Sequence, residues 1–244
     1  MKKTDMLIRK TPVVIFAGGT GINLGEGMIP KPLLEVNGAP LLFHIMEHYS
    51  SAGFRNFIIC AGSGIELLRR FVSGLGRRWN VSVAATGEQS RTGARLARVR
   101  PLLKENPVFC LTYGDTYSRI NLRAAFAFHL EHGKMATLAA VRQPTRFRIL
   151  GLFDLDDDVR GFADKPVLER DYINGGFYIL NREVFDLHSL KPAEACVLED
   201  EVLDELVERR QLCAFRLEDY WQPLDNEKDR RKIENEIMDH REKK

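Results

Sequence analysis

The segment VVIFAGGTGINLGEGMIPKP, residues 13–32, decides the fold of this chain. Its first five residues, 13–17, are apolar and largely β-branched, and such a run predicts a buried strand. Three glycines follow the strand, Gly18, Gly19 and Gly21. Because glycine has no Cβ, several backbone N–H groups of such a loop can converge on one phosphate, and Lys31 adds a positive charge. The segment predicts an anion-binding loop, unless the glycines only form a tight turn between strand and helix.

Two better-known glycine loops do not fit this segment. A Walker loop has a lysine and a serine or threonine directly after its last glycine, whereas Lys31 lies ten residues beyond Gly21 and precedes Pro32. A dinucleotide fingerprint needs Gly-x-Gly-x-x-Gly and an acidic residue at the end of the second strand. The predicted second strand, residues 57–61, ends in Gly62 instead. These differences exclude a P-loop and argue against a nicotinamide enzyme.

The composition is that of an ordinary globular protein. At 244 residues the chain suits one α/β domain, and we expect a single domain over residues 1–244. A net charge of +2 with interspersed signs gives no basis for a nucleic-acid or membrane partner. Four cysteines without Cys-x-x-Cys spacing predict reduced thiols in a cytoplasmic protein. The N-terminal apolar run is too short for a signal peptide, so we expect no targeting segment.

Strands and helices alternate in the first part of the chain. A helix from Pro40 to Gly53 has apolar residues at helical spacing, residues 57–61 form a strand, and residues 65–72 form a short helix. This order predicts parallel strands whose helical crossovers cover both faces of the sheet. Ligands of such sheets bind at the carboxyl ends of the strands, which is where the opening loop lies.

The first helix contains a metalloprotease pattern. Residues 44–48, HIMEH, match H-x-x-E-H, which places two histidines on one helix face. This helix leaves the phosphate-like loop and carries apolar residues at its neighbouring positions. We therefore interpret His44 and His48 as residues of a half-exposed helix face rather than as metal ligands.

Two later strands also end in polar residues. Residues 79–86 predict a strand, which is followed by a polar loop and by four arginines between Arg91 and Arg100. These arginines either form a solvated helix face or belong to a second loop that closes over a nucleotide. Residues 107–113 predict a buried strand that runs into Asp115. That carboxylate either holds Mg²⁺ or caps the next turn.

The remaining part of the chain adds an antiparallel extension. Its predicted elements are a helix at 121–132, a strand at 135–141 that continues the parallel series, a hairpin at 150–163, a strand at 172–180, a helix at 200–209, a strand at 213–217 and a turn at 221–225. The last nineteen residues predict a surface helix that frays, because their apolar stripe is limited to three residues.

The order of these landmarks resembles that of the sugar nucleotidyltransferase family, and most closely the glucose-1-phosphate cytidylyltransferases. The resemblance extends from about residue 13 to residue 225 and rests on separate motifs in a shared order. These motifs are Ala17-Gly18-Gly19-Thr20-Gly21, Lys31-Pro32, residues 40–50, residues 57–60, Thr86-Gly87, Thr92-Gly93 with Arg95 and Arg98, residues 112–115 (TYGD), Arg146-Phe147, Lys165-Pro166, residues 174–177 (NGGF) and residues 221–225.

The resemblance implies an α/β fold of the Rossmann-like nucleotidyltransferase type, with a mostly parallel central sheet and a small antiparallel β extension. It implies a nucleotide-binding part over residues 12–142, an acceptor-binding part over residues 143–225 and a C-terminal surface helix over residues 226–244. The implied reaction joins CTP, or another nucleoside triphosphate, to a sugar 1-phosphate or another phosphoryl or phosphonyl acceptor. It uses Mg²⁺ and releases pyrophosphate, and a homo-oligomer is also implied.

The resemblance also implies roles for residues at matched positions. The expected catalytic residues are Lys31, which neutralises the triphosphate, Lys165, which binds the sugar phosphate, and Asp115 and Asp225, which share Mg²⁺. The expected nucleotide contacts are Ala17, Gly18, Gly19, Thr20, Gly21, Asn23, Lys31, Thr86, Gly87, Thr92, Gly93 and Arg95. The expected acceptor contacts are Arg146, Lys165, Asn174 and Gly175.

The sequence departs from the family pattern at two positions. The family loop continues Gly-Thr-Arg-Leu, and Asn23 stands where the arginine, a bidentate phosphate ligand, is usual. Asp164 replaces the usual glutamate before Lys-Pro. Arg142, Arg146 and Arg148 either compensate from the sugar side or lie on the surface. The loss of the loop arginine leaves an alternative function, a catalytically weakened homologue that binds a nucleotide or regulates.

Overall fold

The computed structural model describes residues 3–19, 22–23, 28–142, 149–150, 162–163 and 172–242. The strands are β1 (Pro12–Phe16), β2 (Ile22–Asn23), β3 (Met28–Ile29), β4 (Glu35–Val36), β5 (Ala39–Pro40), β6 (Asn56–Ala61), β7 (Asn80–Ala85), β8 (Val108–Tyr113), β9 (Thr116–Ser118), β10 (Ala136–Val141), β11 (Ile149–Leu150), β12 (Phe162–Ala163), β13 (Ile173–Asn181), β14 (Leu212–Leu217) and β15 (Trp221–Pro223).

Helices connect these strands. They are α1 (Lys3–Lys10), α2 (Leu41–Ser51), α3 (Ile65–Gly74), α4 (Thr92–Val99), α5 (Leu122–His132), α6 (Leu203–Glu208) and α7 (Glu227–Glu242). Short 3₁₀ turns cover Lys31–Leu33, Arg100–Leu103 and Arg182–Asp186, and a π-helical turn, Leu198–Val202, precedes α6. The sequence predicted α2, α3, α5, α6 and α7 to within a few residues, and it did not predict α1.

Seven strands form the central sheet in the order β14-β10-β13-β8-β1-β6-β7. Strand β1 pairs in parallel with β6 and β8, and β6 pairs in parallel with β7, which confirms the predicted mostly parallel sheet. Strand β10 runs in the same direction as β8, as predicted, but β13, which is antiparallel to both, lies between them, and the sequence did not predict this order. Six consecutive residues of β13 are buried, as a strand between two neighbours requires.

Buried apolar side chains cover both faces of the sheet. All five residues of β1 are buried, which confirms the buried strand predicted from residues 13–17. One core contains Ile15, Phe57 and Tyr49 of α2, and the other contains Phe109 and Tyr178. Because both faces are covered, ligands can reach β1 only from its ends, which directs them to the carboxyl ends of the parallel strands.

The C-terminal helix is more firmly attached than the sequence predicted. Helix α7 runs to Glu242, and its Ile233 and Ile237 are buried in the core. Arg119 forms a 2.8 Å ion pair with Glu236 of this helix. The predicted helix is present, and the two isoleucines, one turn apart, pack against apolar side chains of other elements that the local pattern does not identify.

The histidines of the metalloprotease pattern have structural partners. The Nε2 atom of His44 lies 2.7 Å from the carbonyl oxygen of Val36, and that of His48 lies 2.9 Å from the carbonyl oxygen of Ile120. His44 is buried, so the expected half-exposed face is wrong for this residue. Both rings fasten α2 to neighbouring segments.

The cysteines are free thiols, as predicted. Cys60, Cys110 and Cys196 are buried, Cys213 is partly exposed, and none forms a disulfide. Burial raises the pKa of the Cys60 thiol to about 12, which keeps it protonated at neutral pH. Among the described helices, none is both long and apolar enough to cross a bilayer.

A directed chain of hydrogen bonds joins α5 to β10 and β13. The Lys134 N–H donates to His132 Nδ1 (2.9 Å), so the proton of this neutral ring is on Nε2, which donates to Thr137 Oγ1 (2.7 Å). The Thr137 hydroxyl then donates to His129 Nδ1 (2.8 Å). His129 Nε2 donates to Asn181 Oδ1 (3.0 Å), and Asn181 Nδ2 donates to the carbonyl oxygen of Lys134 (3.2 Å). This series of hydrogen bonds begins at the N–H and ends at the carbonyl oxygen of Lys134, and it requires both imidazoles to be neutral.

We expect this chain of hydrogen bonds to make folding sensitive to mild acid. Burial lowers the pKa of His129 and of His132 below their ordinary value of 6.5. The unfolded chain therefore binds more protons than the folded one, so the free energy of unfolding falls as the pH drops below about 6.5. The largest slope that His129 can contribute is about 1.4 kcal/mol per pH unit. Urea unfolding between about pH 7.5 and pH 5.5, roughly one unit on each side of the ordinary histidine pKa, measures this loss.

A matched pair of variants identifies the group responsible. His129→Gln lowers the stability at neutral pH but makes it less dependent on pH, because glutamine does not titrate. His188 is exposed, and His188→Gln should keep the slope of the unmodified protein. An unchanged slope in His129→Gln would show that other groups titrate on unfolding.

Candidate active site

A lysine and two aspartates meet at the carboxyl end of the parallel strands. The Lys31 Nζ atom lies 2.9 Å from Asp225 Oδ1 and 3.9 Å from Asp115 Oδ2. Asp115 follows the end of β8, which pairs with β1, so the cluster lies beside the glycine loop that follows β1. The side chains remain 30 to 48% exposed and are accessible to a ligand.

Asp225 reaches this cluster through a small antiparallel sheet. Strand β15 pairs with β9, the strand that directly follows Asp115, with Pro223 opposite Thr116. The Leu224 N–H then donates to the carbonyl oxygen of Asp115 at 2.7 Å. The sequence predicted a turn where β15 lies, so the pairing that brings the two carboxylates together was not predicted.

Two prolines on either side of Lys31 lie against two glycines. A Cβ placed on Gly64 would lie 2.6 Å from Pro30 Cγ, and a Cβ on Gly114 would lie 2.8 Å from Pro32 Cγ. Gly114 also donates its N–H to the carbonyl oxygen of Phe16 at 2.9 Å, at the end of β1. These contacts hold the backbone of Lys31 between the ends of two strands, because only glycine lets the proline rings approach so closely.

We expect Gly64→Ala to displace Lys31. Gly64 has φ +74° as well as the contact with Pro30, so alanine adds both backbone strain and a steric clash. The strain costs about 1 kcal/mol, and a displaced lysine should lower about tenfold the rate of the nucleotidyl transfer that the sequence predicts. Steady-state kinetics and thermal unfolding measure the two effects.

Gly76 provides the control for Gly64. Its φ is +64°, but a Cβ there would have no neighbour within 4 Å. Gly76→Ala should therefore show the loss of stability without the loss of activity. Equal kinetics in the two variants would mean that the contact with Pro30 does not position Lys31.

The two carboxylates are suited to Mg²⁺. Burial raises the pKa of the Asp115 carboxyl, the charge of Lys31 opposes this rise, and the nearby Asp225 adds to it. Two adjacent carboxylates repel each other, and a cation between them removes the repulsion, as Lys31 does here. Mg²⁺ prefers carboxylate and phosphate oxygens and is commonly held by one or two carboxylates plus the phosphates of a substrate. The described donor set fits that description.

A buried arginine lies directly against the glycine loop. The Arg95 side chain is 3% exposed, and a Cβ placed on Gly18 would lie 1.9 Å from its Nη1 atom. Its Nη1 donates to Thr86 Oγ1 at 2.9 Å, and its Nη2 approaches the carbonyl oxygen of Glu88 at 3.4 Å. Burial lowers the pKa of this guanidinium. The interpretation of the four arginines as a solvated face is wrong for Arg95, which brings a positive charge to the loop.

Two glutamates that the sequence did not identify, Glu194 and Glu199, attach the segment 194–199 to α4 and to the loop before it. Glu194 accepts hydrogen bonds from Arg98 and from Ser90 (2.6 Å), which lower the pKa of its carboxyl. Glu199 accepts a hydrogen bond from the Thr92 hydroxyl at 2.6 Å. Thr92 is the first residue of α4, and its hydroxyl group is hydrogen-bonded within the protein to this segment. No local pattern identifies these glutamates, since their partners are about a hundred residues away.

Glycines at this end allow close packing around the predicted nucleotide contacts. A Cβ on Gly93 would lie 2.4 Å from Cys196 Sγ, and a Cβ on Gly87, which has φ +90°, would lie 2.5 Å from Ser90 Oγ. Ala17 is buried and its N–H donates to the carbonyl oxygen of Cys60 at 2.9 Å. The structure thus brings Ala17, Gly18, Gly19, Thr86, Gly87, Thr92, Gly93 and Arg95 to one end of the sheet.

The predicted acceptor residues of β13 are held by internal contacts. Asn174 Nδ2 donates to Tyr178 Oη at 2.6 Å, and Asn174 Oδ1 accepts from the Gly176 N–H at 3.0 Å. The carbonyl oxygen of Gly175 accepts a hydrogen bond from Trp221 Nε1 at 2.7 Å. This last bond ties β13 to β15 and therefore to the aspartate pair.

Several predicted site residues lie outside the described residues. Thr20, Gly21, Asp164, Arg146, Arg148 and Lys165 are in this group. Asn23 belongs to β2, which pairs with β3, and its side chain is also outside the description. Of the predicted hairpin, residues 149–150 and 162–163 pair in antiparallel fashion, as expected.

Comparisons with known proteins give one consistent family. A family model described as nucleotidyl transferase matches residues 12–237. A glucose-1-phosphate cytidylyltransferase of Salmonella typhi is 36% identical over 242 residues, which cover 89% of this chain and 92% of that protein. Among solved structures, HddC of Yersinia pseudotuberculosis complexed with GMP-PN has a TM-score of 0.70 at 22% identity and covers 93% of this chain and 99% of its own.

A second solved structure shares the fold. The inositol-1-phosphate CTP transferase of T. maritima has a TM-score of 0.68 at 18% identity, and the match covers 91% of each chain. Both likenesses are below 25% identity and concern the fold alone. They agree with the predicted Rossmann-like nucleotidyltransferase architecture.

Proposed function

This chain belongs to the nucleotidyl transferase family, and we propose that it transfers a cytidylyl group from CTP to a sugar 1-phosphate with release of pyrophosphate. The chain is an enzyme of that family. The choice of CTP and of a sugar 1-phosphate as the proposed substrates rests on the relative at 36% identity. The same chemistry extends to another phosphoryl or phosphonyl acceptor.

The cluster of Lys31, Asp115 and Asp225 is the observation that best supports the proposal. The acceptor phosphate is already an anion and needs no general base, so the task of the enzyme is to bring two polyanions together in line. A lysine beside two carboxylates, at the end of a glycine-loop strand, provides the charges for this task. Mg²⁺ held by Asp115 and Asp225 would neutralise the phosphates between which the new bond forms.

The residues of the chain have distinct tasks in this mechanism. The backbone of Gly18 and Gly19 and the charge of Lys31 hold the triphosphate, and the buried Arg95 adds a fixed positive charge beneath the loop. Because these groups are fixed by packing and hydrogen bonds before substrate binds, little reorganisation is needed when charge develops. Lys165 and Arg146 are proposed to bind the acceptor phosphate, and Asn174 with Gly175 to bind its hydroxyls.

A panel of substrates tests the proposal. Pyrophosphate release is measured with each nucleoside triphosphate, with Mg²⁺, and with a series of sugar 1-phosphates and phosphonates. We expect CTP to give the highest kcat/KM with at least one acceptor. A folded protein that releases no pyrophosphate with any pair would contradict transferase activity, and a preference for another nucleotide would contradict cytidine. The homo-oligomer expected from the resemblance is measured by analytical ultracentrifugation.

A second candidate function is nucleotide binding without turnover. It is motivated by Asn23, which stands where the family loop has arginine. The position of Arg95 against Gly18 favours the enzyme, because a guanidinium is present at the loop. Calorimetry separates the two, since binding of CTP without any pyrophosphate release would support the second candidate. A large gain in turnover in Asn23→Arg would show that the loop is weakened.

A further inference from the structure

Arg142 and Arg216 lie near the ring of Tyr172, directly before β13, the strand that carries the predicted acceptor contacts Asn174 and Gly175. The Arg142 guanidinium carbon lies 4.7 Å from the centroid of the Tyr172 ring, and that of Arg216 lies 5.6 Å from it. Arg142 follows the end of β10, Arg216 lies near the end of β14, and Tyr172 precedes β13. Within the described part of the chain, neither guanidinium forms an ion pair with a carboxylate.

The register of the sheet places this pair next to the acceptor residues. Arg216 is opposite Ala140, and Ala140 is opposite Asn174. Residues opposite each other on neighbouring strands point to the same face of a sheet, so Arg216, Ala140 and Asn174 form one row. Ala140 contributes only a methyl group to the row between the arginine and the asparagine.

The row continues toward the catalytic cluster. Asn174 donates to the Tyr178 hydroxyl, and the Tyr178 ring lies 6.5 Å from the ring of Tyr113. Tyr113 is two residues before Asp115 and ends β8. The two arginines therefore lie at the same end of the strands as the cluster of Lys31, Asp115 and Asp225. Asn174 lies between the arginines and this cluster.

We propose that the acceptor carries a second anionic group, remote from the phosphate that attacks, and that Arg142 and Arg216 bind this group. Two guanidinium groups near one ring repel each other, and an anion between them removes the repulsion. Arginine binds a carboxylate or phosphate through two parallel hydrogen bonds while its plane stacks on an aromatic ring. The inference rests on the proposed function, and it narrows the acceptor to a phosphorylated sugar with a carboxylate or a second phosphate.

Matched acceptors test the inference. Glucose 1-phosphate is compared with glucuronic acid 1-phosphate and with glucose 1,6-bisphosphate, at fixed CTP and Mg²⁺. We expect kcat/KM to be higher by about tenfold or more for the two acceptors that carry a second anionic group, and this preference to decrease as salt is added. Equal kcat/KM for glucose 1-phosphate and for these two acceptors would overturn the inference.

Arginine variants connect the preference to the two side chains. Arg142→Gln and Arg216→Gln should each lower kcat/KM about tenfold for the acceptors with a second anionic group and leave the value for glucose 1-phosphate, which lacks that group, unchanged. Both residues are exposed, so the variants should fold, and Arg70→Gln on the exposed face of α3 is the matched control. A fall in the unfolding temperature without a change in preference would show that the arginines only cover Tyr172, and would overturn the inference.

The failure of the proposed function is recognised separately. If no acceptor gives pyrophosphate, the transferase proposal fails, and calorimetry with glucose 1-phosphate and glucose 1,6-bisphosphate then decides the anion site. Tighter binding of the bisphosphate that is lost in Arg216→Gln supports the site, and equal binding of the two sugar phosphates overturns it.

Discussion

Asp115→Asn should lower pyrophosphate release by on the order of a thousandfold, the largest effect that we expect from any single substitution in this protein. Asparagine keeps the shape of the side chain but removes the negative charge that faces Lys31 and, in our proposal, Mg²⁺. Binding of CTP alone should change less, because the glycine loop, Lys31 and Arg95 remain. Initial rates at saturating CTP and Mg²⁺, with the acceptor varied, measure the loss in kcat.

A surface aspartate provides the comparison for Asp115. Asp219 is exposed, shortly before β15, and Asp219→Asn should keep the activity of the unmodified enzyme. Asp225→Asn should resemble Asp115→Asn, because the two carboxylates lie on either side of one lysine. If Asp115→Asn retains more than about a tenth of the activity, the carboxylate pair is not the metal site of the reaction.

Gly18→Ala should lower kcat/KM for CTP about a hundredfold. The new methyl group would overlap the Arg95 guanidinium, which is buried and bonded to Thr86, so the arginine must leave its position. A displaced arginine no longer presents its charge beneath the triphosphate loop and leaves buried hydrogen-bond partners unpaired. Kinetics with CTP varied, together with thermal unfolding without nucleotide, measure both consequences.

The neighbouring glycine separates displacement of the arginine from the general effect of alanine in the loop. A Cβ on Gly19 has no neighbour within 4 Å, so Gly19→Ala should unfold at the same temperature as the unmodified protein without nucleotide. Gly18→Ala should unfold at a lower temperature. If the two variants have the same unfolding temperature, Arg95 adapts to the methyl group and does not depend on Gly18.

Elements with strong local patterns were predicted well. Helix α5 is capped at its start by Asn121, whose side chain accepts from the Ala124 N–H, and at its end by Gly133 in the left-handed conformation, as capping rules predict. The short helix α1 was missed because its eight residues are mostly polar and its attachment depends on Ile8, which is buried, and on an ion pair between Asp5 and Arg123. Such long-range contacts leave no periodic signal in the chain.

The residues of the candidate site also differ in whether their local sequence identifies them. Asp115 could be predicted because it follows a recognisable strand and a glycine, and strand ends are where ligands bind, whereas Lys31 was predicted from the Lys-Pro motif of the family. The burial of Arg95 and the part played by Glu194 could not be predicted, since their partners lie on distant segments. A helix with several arginines has the same local pattern whether it faces water or a loop.

By itself, the sequence determined the buried strand β1, the glycine loop after it and the positions of the charged residues along the chain. The β-branched residues of this run favour an extended backbone and burial, so short-range sterics decide the strand, while the glycines permit the turn that follows it. Only the tertiary structure decided that the pairing of β15 with β9 brings Asp225 to Asp115, that Arg95 lies against Gly18 and that β13 separates β8 from β10. These pairings are chosen by the summed packing and hydrogen bonding of the whole sheet, to which each local segment contributes too little to reveal the outcome.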